Sequence, residues 1–580
     1  MSLDVSLRYV ASTLAIFRHM FAIIVFLVPC VSNSHAGMPT EPELTSSASN
    51  DHYPGRKSLA SIFLAQAPAS TQVRFAADRV AKRSIPTMEV LERKKEKTPR
   101  DLERELRKAY SKRLVKNKKL RVMIAGGGIG GLCTALALLK DGHDVHVFEK
   151  TAVFRPFGGP IQIATNALEA IRRIDSDVHQ EILKKSTTIG DRINGLKDGI
   201  SDEWFATFDL LKPAQQVQGE PSVVIDRPIL QEIFLKKVGR HVTKGQEVVG
   251  YEQLPDDAGV IGLLANGKTY HADILIGSDG IHSKVAQQFY DKPKDAEWTG
   301  YTCFAGIAKC VPDDVKDVGY KVFLGQKKYF VSVDVGHGRI QWYAFLNIPP
   351  RSTNLTGTSK REWLRQTQFE GWTDAVHELI QCTSEDAIEQ RDLFDRRPEL
   401  KWTEGNVALL GDAAHPMMPN LGQGGGMAIE DALVLGQEIR IKEKSPGLYL
   451  RRTPTAYAPY ALKEFGEKRA LRAAAVQGMS RMSSTFLFQY NHPTTVESVM
   501  PPKVKNLGVR SAITRSMQGF LQHIAFPLQF EFLFGFPGNA VDPSVFSDYD
   551  TQPGQGVEGD LIAMFEGKVR PQDFWETYFG

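Results

Sequence analysis

The stretch that decides the fold is Lys119–Lys150, KLRVMIAGGGIGGLCTALALLKDGHDVHVFEK. Leu120–Ala125 is a short, mostly apolar run, the pattern of a buried strand. Gly126, Gly128 and Gly131 follow at G-x-G-x-x-G spacing, with Gly130 beside the last of them. Leu132–Lys140, rich in Ala and Leu, continues as a helix, and Val145–Phe148 reads as a second strand ending at Glu149. Each part has a physical task. Gly126 makes a tight turn, Gly128 lets the backbone approach a pyrophosphate, and Gly131 lets helix and strand pack closely. The helix N-terminus turns free N–H groups and a partial positive charge toward the phosphates. Glu149 stands eighteen residues beyond Gly131, where a carboxylate accepts hydrogen bonds from a ribose diol. A glycine triplet alone would be an ordinary turn. Strand, glycines, helix, strand and acid in this order predict a dinucleotide-binding unit, and leave open whether the dinucleotide is FAD or NAD(P).

Composition narrows the rest. The 580 residues allow several domains, or one large α/β domain with appendages. Hydrophobic residues make up 42% and charged residues 24%, as in ordinary globular chains. The net charge of +4 is too small to argue for nucleic acid. Cys30, Cys133, Cys303, Cys310 and Cys382 are scattered without a C-x-x-C, so their pattern suggests neither a disulfide framework nor a zinc site.

The N-terminus has the pattern of a two-part leader. Arg8 and Arg18 precede the apolar run Met20–Val31, which is too short to span a bilayer, and Ser34-His35-Ala36 offers a small-x-small cleavage site. This predicts a signal peptide over 1–36. Ser58–Ile85 is rich in Ala and Ser, carries Arg74, Arg79, Lys82 and Arg83, and has one acid, Asp78. That composition predicts an organelle transit segment over 37–87. A signal peptide followed by a transit segment suits a plastid enclosed by extra membranes. The mixed-charge run over 88–118 reads as a helical linker, supported by the i,i+4 pair Glu103–Arg107, or as a cationic helix on an anionic lipid surface.

Downstream, Gly158–Asp175 reads as a strand and a helix with Asn166 as N-cap and Glu169 three residues on. Asp226-Arg227-Pro228 opens a helix over Ile229–Val238, where Arg227 is either a surface residue or a cofactor contact. A hairpin turns at Asn266-Gly267, and a strand over Ala272–Ile276 leads into Gly277-Ser278-Asp279-Gly280. Asp279 sits at the carboxyl end of a strand, where open α/β sheets hold ligands, although capping the next helix is a simpler task for it. Tyr320–Leu324, Tyr329–Val335 and Ile340–Phe345 alternate like antiparallel strands. Their surroundings carry Phe304, Phe323, Tyr329, Phe330, Trp342, Tyr343 and Phe345, which as a group could floor a large apolar pocket.

The last motif is Asn406–Leu435, NVALLGDAAHPMMPNLGQGGGMAIEDALVL. Val407–Leu410 reads as a buried strand closed by Gly411-Asp412. His415-Pro416 and Pro419 enforce an irregular loop, and Gly422–Gly426 lead into a helix from Met427. A strand-end Asp can bond polyol hydroxyls, and a glycine-rich helix start can bring N–H groups to the electron-rich edge of a ring.

Three motifs in this order, Gly126–Gly131, Asp279-Gly280 and Gly411-Asp412, resemble the single-component FAD-dependent monooxygenases. The resemblance is closer to the zeaxanthin epoxidase branch of that family. It rests on GPIQI and NAL in Gly159–Leu168, GYTCFAGIA (Gly300–Ala308), VGYKVFLGQKKYFVSVDVG (Val318–Gly336), QWYAF (Gln341–Phe345), FEGW (Phe369–Trp372), EDAIEQRDLFDR (Glu385–Arg396) and MPNLGQGGGMAIEDA (Met418–Ala432). GDAAHP over Gly411–Pro416 is nearer the general hydroxylase version. Gly426 stands where the plant enzymes usually carry cysteine, and their phosphopeptide-binding (FHA) module is not read after Arg481.

The resemblance implies an α/β fold: a Rossmann-like FAD-binding domain of the p-hydroxybenzoate hydroxylase type, an inserted antiparallel substrate sheet, and C-terminal helices. It divides 119–490 into FAD parts near 119–200, 260–290 and 390–440 and a substrate sheet near 200–260 and 297–390, followed by a tail over 491–580. It implies FAD held by Gly126, Gly128, Gly130 and Gly131 at the pyrophosphate and Glu149 at the adenosine ribose. Asp279 and Gly280 would lie near the pyrophosphate, Asp412 on the ribityl chain, Arg227 near the cofactor, and Pro419, Gly422, Gly424 and Gly425 along the flavin ring. It further implies reduction by NAD(P)H or ferredoxin, then O2 and a flavin C4a-hydroperoxide that epoxidises zeaxanthin to antheraxanthin and violaxanthin, in a plastid at the thylakoid surface. No catalytic side chain and no metal are assigned. The other readings are an FAD hydroxylase of a small aromatic, and a non-catalytic carotenoid-binding flavoprotein.

At the C-terminal end, Ala461–Ser484 reads as a long helix with a basic face. Phe520–Phe536 reads either as packing onto the main domain or as a foot on a membrane surface, and Phe574–Phe579 as a terminal anchor.

Overall fold

The computed structural model describes residues 119–154, 159–291, 296–350, 358–444, 457–489, 519 and 521–536. The leader, the charged linker and Phe574–Phe579 lie outside these residues. The described residues all belong to one compact unit that begins at Lys118.

The glycine-loop strand, Arg121–Ala125, lies inside a six-stranded sheet. The order is Thr403–Glu404, Val407–Leu409, Ile274–Gly277, Arg121–Ala125, Asp144–Glu149 and Val242–Lys244. All pairings are parallel except the Thr403–Glu404 edge. The helix after the glycines spans Ile129–Lys140, three residues longer at its start than its apolar pattern predicts. Gly130 and Gly131 are inside its first turn, because the chain needs their missing side chains there. A Cβ on Gly131 would stand 2.1 Å from the Gly126 carbonyl oxygen.

The strand expected over Ala272–Ile276 is two strands. Thr269–Ala272 pairs antiparallel with Val260–Leu264 across the Asn266-Gly267 turn, while Ile274–Gly277 joins the parallel sheet. The buried Asp273 carboxylate marks the switch by accepting the Arg121 N–H at 2.5 Å. The short spacing hides this: the half-exposed Thr269–Ala272 and the fully buried Ile274–Gly277 are separated by Asp273 alone.

A second sheet of seven strands runs Glu389–Asp395, Glu297–Ala308, Ile340–Leu346, Lys328–Asp334, Val318–Gly325, Ile193–Asp198 and Trp204–Phe208. The three strands read from alternation are all in it. Of the 200–260 stretch assigned to the substrate sheet, only Trp204–Phe208 is there. Val242–Lys244 belongs to the parallel sheet and Val248–Gln253 to the small antiparallel one.

Period-two alternation sends the aromatic residues to opposite faces. Phe304, Phe323, Phe330 and Trp342 pack with Phe369 and Trp372 under the Asp374–Gln381 helix. Tyr329, Phe345 and Cys303 lie on the other face with Leu324 and Phe488, and Tyr343 is half-buried against them. The seven rings therefore do not floor one pocket: six are buried, four on one face and Tyr329 and Phe345 on the other.

Two long helices complete the unit. Gly424–Lys444 packs on the Ile129–Lys140 helix and on Ala458–Gln489. Further on, a short π-helix, Leu521–Ala525, and the helix Phe526–Phe534 pack onto this body. Phe208 meets Phe526 at 5.2 Å and Phe530 at 5.4 Å between ring centroids. Among the described residues no helix is long and apolar enough to cross a membrane.

Candidate functional site

The phosphate cradle follows from the first two motifs meeting. Gly126 has φ +101°, and a Cβ there would strike the Ser278 carbonyl oxygen at 2.2 Å. Only glycine lets the first strand's turn lie this close to the Ser278-Asp279 backbone. Gly128 caps the helix without a side-chain bond, and a Cβ on it would meet no described atom within 4 Å. The helix has no acid in its first turn. Open space at Gly128, first-turn N–H groups that have no intrahelical acceptor and an uncompensated positive helix end together suit a diphosphate.

Glu149 ends the second strand and is buried. Its Oε2 accepts the Gly127 N–H at 2.7 Å and its Oε1 the Thr151 N–H at 2.7 Å. The carboxylate is thus fixed beside the loop, with acceptor capacity left for a diol. Gln231, one turn into the helix Arg227–Val238, donates to the Gly127 carbonyl at 3.2 Å. Arg227 itself is exposed at the start of that helix, within electrostatic reach of the Tyr343 phenol.

Asp279 does the simpler task read from its position, capping the next helix. Its Oδ2 accepts the N–H groups of Lys284 at 2.8 Å and Val285 at 3.3 Å, which caps the following helix. Its Oδ1 is buried without a partner. Burial raises its carboxyl above the usual range, against the bonds from Ser283, Val285 and Lys284. Gly280 beside it has φ +85°, and no described atom lies within 4 Å of where its Cβ would be.

The third motif stands next to the second because Val407–Leu409 pairs with Ile274–Gly277, and the Leu410 N–H donates to the Gly277 carbonyl at 2.9 Å. Gly411 turns with φ +61°, leaving the Asp412 side chain exposed. Arg396 holds this turn from behind, with Nη2 donating to the Asp412 carbonyl at 2.7 Å and the Ala413 carbonyl at 3.0 Å. Asp412 and Asp279 both lie within electrostatic reach of Arg396. No local spacing marks Arg396 in the sequence; it closes the EDAIEQRDLFDR segment and reaches its partners through the fold.

After Pro419–Leu421, Gly422 takes the left-handed conformation at φ +62° and the helix begins at Gly424 rather than Met427. The glycines form its first turn because the strand Ile161–Ile163 crosses it. A Cβ on Gly422 would meet Gln162 Oε1 at 2.4 Å, and one on Gly425 the Ile161 Cδ1 at 2.8 Å. Both amide atoms of Asn420 are buried without a partner.

Behind that helix start lies a buried charge cluster that the sequence does not announce. Asp431 Oδ2 pairs with His415 Nε2 at 2.6 Å and accepts the Gly411 N–H at 3.1 Å. Arg469 binds Asp431 at 2.7 Å and Glu430 at 2.6 Å, with all three residues fully buried. Arg472 binds Glu430 through two bonds of 2.8 Å and donates to the carbonyls of Phe532 and Leu533. The basic face read on the long helix therefore partly turns inward. Asn166 is not an N-cap: Ala164 is, and the Asn166 amide is buried, donating to Glu430 at 2.7 Å and Gln423 at 3.1 Å. Its capping pattern was met by chance, because a buried carboxylate 264 residues away needs the donor.

The face of the seven-stranded sheet that carries Tyr343 meets these motifs. The Tyr343 hydroxyl donates to the Pro160 carbonyl at 3.4 Å, and Tyr320 bonds Gln162 at 3.2 Å. The Ile161–Ile163 strand is thus sandwiched between the aromatic sheet and the Gly422–Gly425 turn.

This fold and cradle define a flavin-nucleotide-binding α/β protein. The chain belongs to the FAD binding domain family, whose signature matches residues 119–444. It is 45% identical over 379 residues to the chloroplastic zeaxanthin epoxidase of Prunus armeniaca, covering 64% of this chain and 56% of that one. It is 43% identical over 391 residues to that of an Oncidium hybrid cultivar (67% and 58%), and 43% over 382 residues to that of Spinacia oleracea (65% and 55%). The matched stretch thus spans little more than half of each of these relatives. Among solved structures, Klebsiella pneumoniae HpxO complexed with FAD and uric acid superposes with a TM-score of 0.58 at 23% identity, covering 72% of this chain and 97% of that one. A salicylate hydroxylase substrate complex does so at 0.55 and 21% (76% and 99%). These two share the fold: a Rossmann-like domain with an inserted antiparallel sheet. The residues present fit FAD. The open space over Gly128, the fixed Glu149 and the unpartnered Asp279 Oδ1 and Asn420 amide are what a dinucleotide with a polar ring edge would engage.

Proposed function

We propose that this protein is an FAD-dependent monooxygenase that epoxidises the ring double bonds of a xanthophyll, taking zeaxanthin to antheraxanthin and violaxanthin. The observation that carries the reading is the aromatic sheet face of Tyr329, Tyr343 and Phe345. Its Tyr343 meets Pro160 beside the Ile161–Ile163 strand, which packs on the glycine turn where a flavin ring would sit. Apolar rings beside a flavin suit an electron-rich, water-poor alkene. The similarity to chloroplastic zeaxanthin epoxidases at 41–45% identity supports the same substrate class.

In this reading the backbone at Gly126, Gly128, Gly130 and Gly131 holds the pyrophosphate, aided by Asp279 and Gly280. Glu149 accepts from the adenosine ribose and Asp412 from the ribityl hydroxyls. Pro419, Gly422, Gly424 and Gly425 line the ring, whose electron-rich edge meets the positive end of a helix. Arg227 lies near the cofactor. Bound FAD supplies the activation of O2 after reduction by NAD(P)H or ferredoxin. The protein orients the alkene and excludes water. The relatives' chloroplastic names and the two-part leader support a plastid location, with peripheral contact to the thylakoid.

The test is incubation of FAD-loaded protein with zeaxanthin in lipid vesicles, a reductant and labelled O2. Antheraxanthin bearing one labelled oxygen is expected. Arg227 and Arg391 near Tyr343 favour, as a second reading, hydroxylation of a small aromatic acid. Flavin reoxidation stimulated by salicylate but not by zeaxanthin would establish that reading instead, and a flavin inert to both would leave a carotenoid-binding scaffold.

A further inference from the structure

On the far face of the seven-stranded sheet, away from the flavin cradle, three donor side chains converge. Cys310 follows the strand Glu297–Ala308, while Glu378 and Cys382 sit one helical turn apart at the end of Asp374–Gln381. Their sulfur and carboxylate atoms all lie within 4.8 Å of one another. We propose that Cys310, Glu378 and Cys382 form a thiolate-rich site for a divalent zinc-type ion, which staples this helix to the sheet.

Three observations carry this. First, the donors come from rigid neighbours. The Lys309 N–H donates to the Cys382 carbonyl at 3.4 Å, tying strand end to helix end beside both thiols. The Cys382 N–H caps the helix on the Glu378 carbonyl at 2.8 Å, which sets the spacing of those two ligands. Thr383, next in the chain, bonds the Leu379 carbonyl and the buried Trp342 indole, both at 2.8 Å. Second, the donor set is right. Tetrahedral zinc takes sulfur at about 2.3 Å and carboxylate oxygen at about 2.0–2.2 Å, so its ligands stand roughly 3.5–3.8 Å apart. Shifts of about 1 Å, within side-chain rotation, bring this cluster to that geometry, and a water completes the shell. Third, access is suitable: the two cysteines are half-buried and Glu378 is exposed.

The rival use of two neighbouring thiols is a redox switch, which needs a thiolate stabilised by positive charge. Here the charged group that converges on the two thiols is the Glu378 carboxylate, which is a ligand for a cation and gives no positive charge to activate a thiolate. The site is separate from the flavin residues, and its fate does not depend on the substrate assigned above. It was invisible as a motif because Cys310 is sixty-eight residues from Glu378.

The probe is zinc itself, offered to the FAD-loaded full chain under reducing conditions and followed by desalting and elemental mass spectrometry. About one zinc per chain is expected, along with protection of Cys310 and Cys382 from alkylation and a higher unfolding temperature. Cys310→Ser with Cys382→Ser should abolish all three while flavin content stays unchanged, and Glu378→Gln should weaken zinc binding about tenfold. The proposal is overturned if the native chain retains no zinc, if the double serine variant retains as much, or if zinc leaves alkylation of the two thiols unchanged. Recovery of the pair as a disulfide in freshly purified protein also overturns it. Alkylation mapping uses the native chain, so the test stands even where a variant does not fold.

Discussion

Arg396 donates from one guanidinium nitrogen to two consecutive carbonyls, those of Asp412 and Ala413, at 2.7 and 3.0 Å. A side chain from the antiparallel sheet's last segment thereby sets the backbone turn that presents Asp412. Arg396→Met would leave both carbonyls short of a donor in a buried setting, at a cost of about 1–3 kcal/mol. The expected result is a lower unfolding midpoint in the apoprotein and weaker flavin retention, read by denaturation and by flavin absorbance on the same sample.

Asp412→Ala tests the presentation itself. Its side chain is exposed, so the apoprotein should unfold at the native midpoint. Loss of hydrogen bonds donated to a charged acceptor weakens binding by about 1.5–3 kcal/mol, or roughly ten- to hundredfold in the FAD dissociation constant. Fluorescence titration of apoprotein with FAD measures it, and an unchanged constant would remove Asp412 from the site.

The glycines separate folding from binding. A methyl on Gly131 collides with the Gly126 carbonyl at 2.1 Å, so Gly131→Ala should give little soluble protein. A methyl on Gly128 meets no described atom within 4 Å, so Gly128→Ala should fold with a native circular dichroism spectrum. It should nevertheless purify without flavin, because the methyl occupies the space a pyrophosphate needs.

Arg469 pairs with two buried carboxylates at once. Arg469→Met leaves Glu430 with Arg472 and Asn166 and Asp431 with His415, one buried positive charge short, with an expected loss of about 3–5 kcal/mol in calorimetry or denaturant unfolding. Replacing a surface cation such as Lys463, paired with Glu467 at 3.6 Å, should cost under about 1 kcal/mol.

The same cluster sets an acid limit. Burial alone would raise both carboxyls. Arg472 and Arg469 outweigh it for Glu430, and His415 and Arg469 do so for Asp431, holding them below their ordinary values of 4.5 and 3.8. A depressed folded-state value gives stability that is complete above the unfolded value and lost as pH falls through the folded one. Unfolding free energy from this source should be flat down to about pH 5 and fall below about pH 4. In Arg469→Met the two carboxyls are less depressed against the same burial, so the acid decline should shrink rather than start earlier.

Local pattern was enough for the dinucleotide unit, the order of the three motifs and the alternation of the sheet strands. Those signals are local: glycines where a turn forbids a side chain, apolar residues every second position where one face is buried. It placed helix starts late at Leu132 and Met427, because glycine lowers helix propensity although Gly131 is required where the backbone leaves no room for a Cβ. Tertiary structure alone decided which aromatic rings face the cleft, since strand register assigns Tyr343 and Trp342 to opposite sides. It also decided that Arg469 is interior, that Asn166 serves Glu430 rather than a helix end, and that Cys310 meets Cys382. Each of these pairs is distant along the chain, and contact between distant residues depends on how sheets and helices pack, which no periodicity encodes.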